Sequence, residues 1–489
     1  MDLLAGFSIA LSFWPLLAIV GGVLAGLTLG ALPGLTSTMA LAVLMPLTFG
    51  MDPILSICML IGIYVGGICG GSITAICINI PGTPASAATA IDGNALFKRG
   101  EGGKALFVSF LCSAIGGLFS AVILITLAPA VAKFGLKFGP PEYFALGLLG
   151  LTMVLSVSGK HLFKGLAATF IGLMIATIGV DPVSGFARYT AGSVNLQAGI
   201  SYIPALIGLF GLSEMISNLT MKENKVEKAQ TFDRIWIKWA ELKQLGGTLL
   251  RSSSIGTAVG AIPGAGADIA SWVSYDVAKR TAKKEERIGE GNIKGVAASE
   301  AANNANVGGA LIPMMTFGIP GDGQTAVLIG ALMISGMTPG PLLFEQHPDF
   351  VGAMMASVII ANILIFVFGI SITRFLIKLI DQPTKIINPI IILLCLIGAF
   401  AINNSFFDVG ITCLFGLLGV ILKRYDYPLP PLILALILAP MIESNFRKGL
   451  TLTDGQFLLF FQRPLFLALI AIMILSLWGF FRMTKKHSI

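Results

Sequence analysis

The chain has 489 residues, of which 55% are hydrophobic and only 12% charged, about half the charged share of a soluble domain. So few charges cannot solvate the surface of the several soluble domains a chain this long would form, which excludes a soluble enzyme, a disordered chain and a secreted disulfide scaffold. What remains is an all-α polytopic membrane protein whose glycine content, 58 residues, needs an explanation.

The net charge of +7 sits in short basic clusters between apolar runs. That is the pattern of cytoplasmic loops, so no nucleic-acid partner is expected and the lipid bilayer is. The N-terminus lacks a basic segment ahead of its first apolar stretch, so no cleavable signal is expected. The six cysteines (Cys58, Cys69, Cys77, Cys112, Cys395, Cys413) all lie in apolar runs and read as small buried hydrophobes.

In chain order, spanning helices are predicted over roughly 105–131, 142–158, 163–180, 199–217, 351–373, 386–402, 405–422, 428–442 and 464–481. Regions 12–97 and 246–343 are apolar too, but their Gly and Pro predict pieces too short for ordinary spans. Residues 218–245 form a polar linker, with an amphipathic helix expected around Phe232–Leu245. Residues 279–294 form a second polar loop.

The chain repeats itself. Gly30-Ala-Leu-Pro-Gly34 matches Gly260-Ala-Ile-Pro-Gly264, and Ile80-Pro-Gly82 matches Ile319-Pro-Gly321. The expected domains are therefore an N-terminal repeat (1–217), a cytoplasmic linker (218–245), a second repeat (246–443), and a C-terminal helix with a cytoplasmic tail (444–489). Matched loops have opposite character. Lys98–Lys104 is basic where Phe344–Phe350 has no Lys or Arg, and 279–294 is basic where 50–53 is not. The repeats are thus expected to have inverted topology. Apart from Lys133, Lys137, Arg188, Arg251, Arg447, Lys448 and Arg463, every Lys and Arg then falls on the inner side, as does the C-terminus.

Backbone broken inside hydrocarbon must be buried or line a cavity. Broken, re-entrant hairpins offer helix N-termini to anions and free carbonyls to cations. The expected substrate site therefore gathers Pro33, Gly34, Thr36, Ser37, Asn79, Pro81, Gly82, Thr83, Pro263, Gly264, Gly266, Pro320, Gly321 and Gln324. Hydroxyls beside open N–H groups suit a carboxylate; the same residues also serve as ordinary caps and turns. Asp268, Glu300, Asn303, Asn304 and Asp322 are the ion-coupling candidates, because ionisable groups at such depth carry protons or bind sodium. Asp92 reads equally well as a loop residue. The glycines of Gly66-Gly-Ile-Cys-Gly-Gly71 read as close helix packing. The histidines (His161, His347, His487) lack metal-ligand spacing, and no catalytic constellation is present. No enzyme, ATPase or bound cofactor is expected, so coupling falls to an ion gradient.

Several further motifs occur together: Leu47-Thr-Phe-Gly50, Gly70-Gly-Ser-Ile-Thr74, Asn79-Ile-Pro-Gly82, Ala90-Ile-Asp-Gly93, Gly260-Ala-Ile-Pro-Gly-Ala-Gly-Ala-Asp268, Ser299-Glu-Ala-Ala-Asn-Asn304 and Gly318-Ile-Pro-Gly321. With Gly30–Gly34, they make nearly the whole chain resemble the large membrane subunit of the tripartite tricarboxylate transporters. The resemblance implies a bacterial inner-membrane secondary transporter that imports an organic carboxylate by symport with Na+ or H+. It also implies a small membrane subunit of about four helices and a periplasmic solute-binding protein as partners. Elevator and rocking motions both fit, with the four Gly-Pro elements on the moving part. A passive anion channel or a structural subunit without transport is the competing class, and a continuous polar pore lining would mark the channel.

Overall fold

The computed structural model describes residues 3–32, 35–157, 162–181, 184–220, 236–380 and 384–486. The helices run in chain order α1 (Leu3–Ala10), α2 (Phe13–Gly30), α3 (Ser37–Leu44), α4 (Pro53–Ile78), α5 (Ala87–Lys98), α6 (Gly102–Gly135), α7 (Pro140–Val157) and α8 (Leu162–Ala176). A two-residue antiparallel pair follows, β1 (Gly179–Val180) with β2 (Ala187–Arg188). Then come α9 (Val194–Gln197), α10 (Tyr202–Leu206), a π turn (Ile207–Leu212), α11 (Ser213–Thr220), α12 (Trp239–Lys243), α13 (Gly246–Gly260), α14 (Gly266–Thr281), α15 (Ile293–Phe317), α16 (Gly323–Ile334) and α17 (Pro341–Gln346). The long helices α18 (Pro348–Ile380), α19 (Thr384–Asn403), α20 (Phe406–Arg424), α21 (Leu429–Leu452) and α22 (Pro464–Lys486) complete the chain.

The architecture is that of an all-α, multi-pass membrane protein. Among the described residues, six helices are long and apolar enough to cross a membrane: Phe13–Gly30, Pro53–Ile78, Gly102–Gly135, Pro348–Ile377, Phe406–Arg424 and Leu429–Leu452. The predicted spans coincide with helices, but 163–180 stops being helical at Ala176 and ends in β1, 199–217 is interrupted by the π turn and 428–442 extends to Leu452. The amphipathic helix expected around Phe232–Leu245 lies partly outside the described residues; within them, only Trp239–Lys243 is helical.

One expectation is corrected. Regions 12–97 and 246–343 are not made of short pieces alone, because each contains one long unbroken helix, α4 (26 residues) and α15 (25 residues). Glycine did not break α4 because it packs there. A Cβ on Gly62 or Gly66 would lie 2.6 Å from the carbonyl oxygen of Ile19 or Val23, and one on Gly22 of α2 would lie 2.2 Å from that of Met59. Two backbones in such contact gain dispersion and shed lipid, which outweighs glycine's poor helix propensity. In α15, Glu300, Asn303, Asn304 and Asn306 are held inside the protein with no exposed surface, so hydropathy underrates the helix.

Contacts divide the chain into two compact units, Met1–Ala130 with Glu214–Leu394, and Val131–Ser213 with Cys395–Ile489. Each takes a segment from both halves of the sequence. In the larger unit, α2 packs on α4 and α13 packs on α15, each pair through glycines. The Gly256 and Gly260 positions sit on the carbonyls of Ala302 and Asn306, with Cβ approaches of 2.3 and 2.4 Å. The smaller unit packs α21 between α7 and α8 and buries Phe460 and Phe466 against the partly buried Phe144 and Phe446. It also holds an ion-pair network in which Arg188 and Arg447 share Asp181 and Glu443.

Candidate functional site

The larger unit contains all four Gly-Pro elements, and they pair through backbone. Gly82 donates its N–H to Gly71 at 3.2 Å and lies on the Gly30 carbonyl, where a Cβ would come within 2.2 Å. In the second half Gly264 donates to the Gly321 carbonyl at 2.7 Å, and Gly321 lies on the Gly260 carbonyl and Ala310 Cα. The matched motifs therefore meet in matched pairs. Asn79 and Gly318 end α4 and α15 in the left-handed conformation, φ 57° and 70°, which turns the chain sharply into each Ile-Pro-Gly. Pro33 and Gly34 lie outside the described residues. Their neighbour Thr36 caps α3, its Oγ1 accepting from Met39 N at 3.2 Å.

The two halves then meet at helix starts. Gln324 Nε2 in the first turn of α16 donates to Ser37 Oγ in the first turn of α3, and Thr38 stands against Gly323. The first N–H groups of a helix have no partner within it. At α3, Ser37 and Thr38 carry such groups beside their own hydroxyls. At α16 the position is taken by the chain's own acid. Asp322 is the N-cap, with Oδ1 accepting from Thr325 N at 2.8 Å, while Oδ2 accepts from Tyr64 OH and, at 3.0 Å, from Asn306 Nδ2. Asp268, in the first turn of α14, follows Gly266, where a Cβ would lie 3.8 Å from Asp322 Cβ, and has no hydrogen-bond partner among the described residues. It is solvent-accessible, whereas Asp322 is 5% exposed. Two acids thus stand beside the break formed by Pro263, Gly264 and Gly266 and the break formed by Pro320 and Gly321.

A second carboxyl centre lies on α15. Glu300 has no exposed surface. Oε1 accepts from Thr89 Oγ1 of α5, and Oε2 accepts from Ser113 Oγ of α6 at 2.9 Å. Asn303 lies against the same carboxyl, yet neither of its amide atoms closes a hydrogen bond of ordinary geometry. Asn304 Nδ2 reaches the Val65 carbonyl at 3.5 Å, leaving its Oδ1 unpartnered.

The sequence candidates therefore fall into three places. Thr36, Ser37, Pro263, Gly264, Gly266, Asp268, Pro320, Gly321, Asp322 and Gln324 lie around the α3 and α16 starts and the pair of breaks beside them. Pro81, Gly82 and Thr83 form the first-half hairpin, where Thr83 Oγ1 pairs with Ser86 Oγ at 3.0 Å, and Asn79 is exposed at the end of α4. Glu300, Asn303 and Asn304 form the buried α15 cluster. Sequence reasoning missed Tyr64, Thr89 and Ser113; a lone Tyr in the apolar run of α4 was the one available signal. Asp92 is a buried anchor on α5, accepting from Tyr275 OH at 2.8 Å and from the backbone N–H of Gly289, Gly291 and Asn292 at 2.9, 2.8 and 2.7 Å. Of the glycines read as packing, Gly66 and Gly70 pack on α2, whereas Gly71 abuts Thr83 and Ser86.

Residues 16–434 match the model of the tripartite tricarboxylate transporter TctA family. A protein of Agrobacterium vitis, described as an uncharacterized 52.8 kDa protein in the TAR-I ttuC' 3' region, is 35% identical over 476 residues, covering 96% of this chain and 95% of its own. A second protein of that organism, described from the TAR-II ttuC' 3' region, is 33% identical over 217 residues, 44% of this chain and 90% of its own. No solved structure matches.

Proposed function

The chain belongs to the tripartite tricarboxylate transporter TctA family, and from that premise we propose that it is the translocating subunit of an ion-driven carboxylate importer. In this reading a periplasmic solute-binding protein delivers a dicarboxylate or tricarboxylate, and a small membrane subunit of about four helices completes the system in a bacterial inner membrane. The C-terminus lies in the cytoplasm, and the two halves are inverted repeats. The larger unit, which holds the Gly-Pro elements, is the moving body, an arrangement suited to an elevator.

The observation that carries the reading is the meeting of the α3 and α16 starts through Ser37 and Gln324. It gathers the open Ser37 and Thr38 N–H groups, three hydroxyls and one amide from both halves. Such groups bind a carboxylate without a buried Arg, and among the described residues no Lys or Arg pairs with Asp268, Glu300 or Asp322. Among the described residues no group of three or more His, Cys, Asp or Glu is placed to hold a metal, and the family is one of transporter components.

The test is uptake of labelled citrate and tartrate into proteoliposomes containing both membrane subunits, with the binding protein added. Accumulation that needs the binding protein and an imposed Na+ or H+ gradient supports the proposal. Gradient-independent equilibration would mean a passive channel, and no flux at all would mean a structural subunit.

A further inference from the structure

We propose that Glu300, Thr89, Ser113 and Asn303 form a sodium site, the seat of the coupling cation; this rests on the ion-coupled reading above. The four side chains come from three helices, α5, α6 and α15, and from both halves of the sequence. Each is buried with no exposed surface. A carboxylate so placed is tolerated only when a cation, a proton or strong donors compensate it. Glu300 has two hydroxyl donors and, among the described residues, no Lys, Arg or His partner.

Asn303 adds the next oxygen. Its Oδ1 is buried and unpartnered beside the Glu300 carboxyl. A proton on Glu300 would also neutralise the charge, and its O–H would then donate to that oxygen; sodium titration separates the two. A sodium ion would take the Asn303 Oδ1 together with the Glu300 oxygens and the Thr89 and Ser113 hydroxyl oxygens, whose hydrogens are free to rotate outward. All are hard oxygen ligands, as a small hydrated cation requires. Thr89 Oγ1 also has Ser299 Oγ at 2.8 Å as an alternative partner, which fits a hydroxyl that turns between two states. The titratable neighbours are the thiols of Cys69 on α4 and Cys112 on α6.

Asp322 contrasts with this. Tyr64, Asn306 and Thr325 between them use both of its oxygens, so neither oxygen is left over for a cation. The assignment therefore separates the two carboxyl centres, placing the cation at Glu300 and the substrate contacts at the helix starts.

Purified full-length protein is titrated with NaCl against choline chloride at constant ionic strength, read by thermal unfolding and by calorimetry. Saturable Na+ stabilisation is expected in the wild type and absent in Glu300→Gln. In Asn303→Ala and Ser113→Ala the protein still unfolds cooperatively, and sodium binding weakens about 10- to 100-fold. A sodium response that survives in Glu300→Gln overturns the assignment. So does a wild type without any sodium response that still accumulates carboxylate on a proton gradient, an outcome that leaves the transport reading intact. Failure of uptake under either gradient defeats that reading instead, while a sodium response lost in Glu300→Gln would still support the site.

Discussion

At the residue scale, the Gly-Pro elements depend on what glycine lacks. A Cβ on Gly82 would lie 2.2 Å from the Gly30 carbonyl oxygen, and one on Gly321 would lie 2.6 Å from Ala310 Cα. Neither neighbour is a side chain that can swing aside, so Gly82→Ala and Gly321→Ala are each expected to cost about 1–3 kcal/mol. On the proposed transport reading they should also abolish uptake, because the Ile-Pro-Gly turns no longer fit against α2 and α13. Gly21 of α2 is the control. It is exposed and meets nothing within 4 Å, so Gly21→Ala should stabilise the protein by about 0.5–1 kcal/mol. Thermal unfolding in detergent orders the three variants, and equal destabilisation of all three would refute the close-contact explanation.

At the element scale, a loop and a short helix are tied down by single carboxylates. Asp92 fastens the 286–292 loop by three backbone N–H groups. Losing hydrogen bonds to a charged group in Asp92→Ala should release the loop by about 3 kcal/mol, equivalent to about a hundredfold faster amide exchange there. Unchanged exchange would show that the loop is held by other contacts. Helix α12 is held by Glu241, whose carboxyl Lys104 pulls below its usual range. A lowered acid stabilises the folded state above the ordinary carboxylate pKa and loses that contribution as pH falls through its depressed value. Acidification should therefore release α12 and change Trp236 and Trp239 fluorescence, and Glu241→Gln should remove that step. The effect is modest, as for any half-exposed pair. This scale also marks the limit of sequence reading. Regular spans such as α6 and α18 were legible because lipid demands length and hydropathy. Helices α4 and α15 were not, since tertiary packing, absent from a linear pattern, overrides the weak propensity of glycine and the polarity of asparagine. The site was half legible for the same reason. Breaks announce themselves by composition, but the Tyr64 contact to Asp322 spans 258 positions.

At the scale of the whole molecule, the proposed inversion has a direct check. Loops 279–294 and 344–350 should lie on opposite faces. Glu285 and His347 are both exposed, and Cys413 is the one exposed native cysteine among the described residues. In a Cys413→Ser background, Glu285→Cys should react with an impermeant maleimide only in inside-out vesicles, and His347→Cys only in intact spheroplasts. Labelling of both from one face would refute the inverted arrangement.

The acid at the start of α16 makes the two matched halves unequal. Asp322 caps that helix with the chain's own carboxyl, so its N-terminus is already filled, while the start of α3 keeps its first N–H groups. On the proposed transport reading, an incoming carboxylate would then be seated on the first half of the chain, against Ser37 and Thr38, rather than shared equally between the two halves.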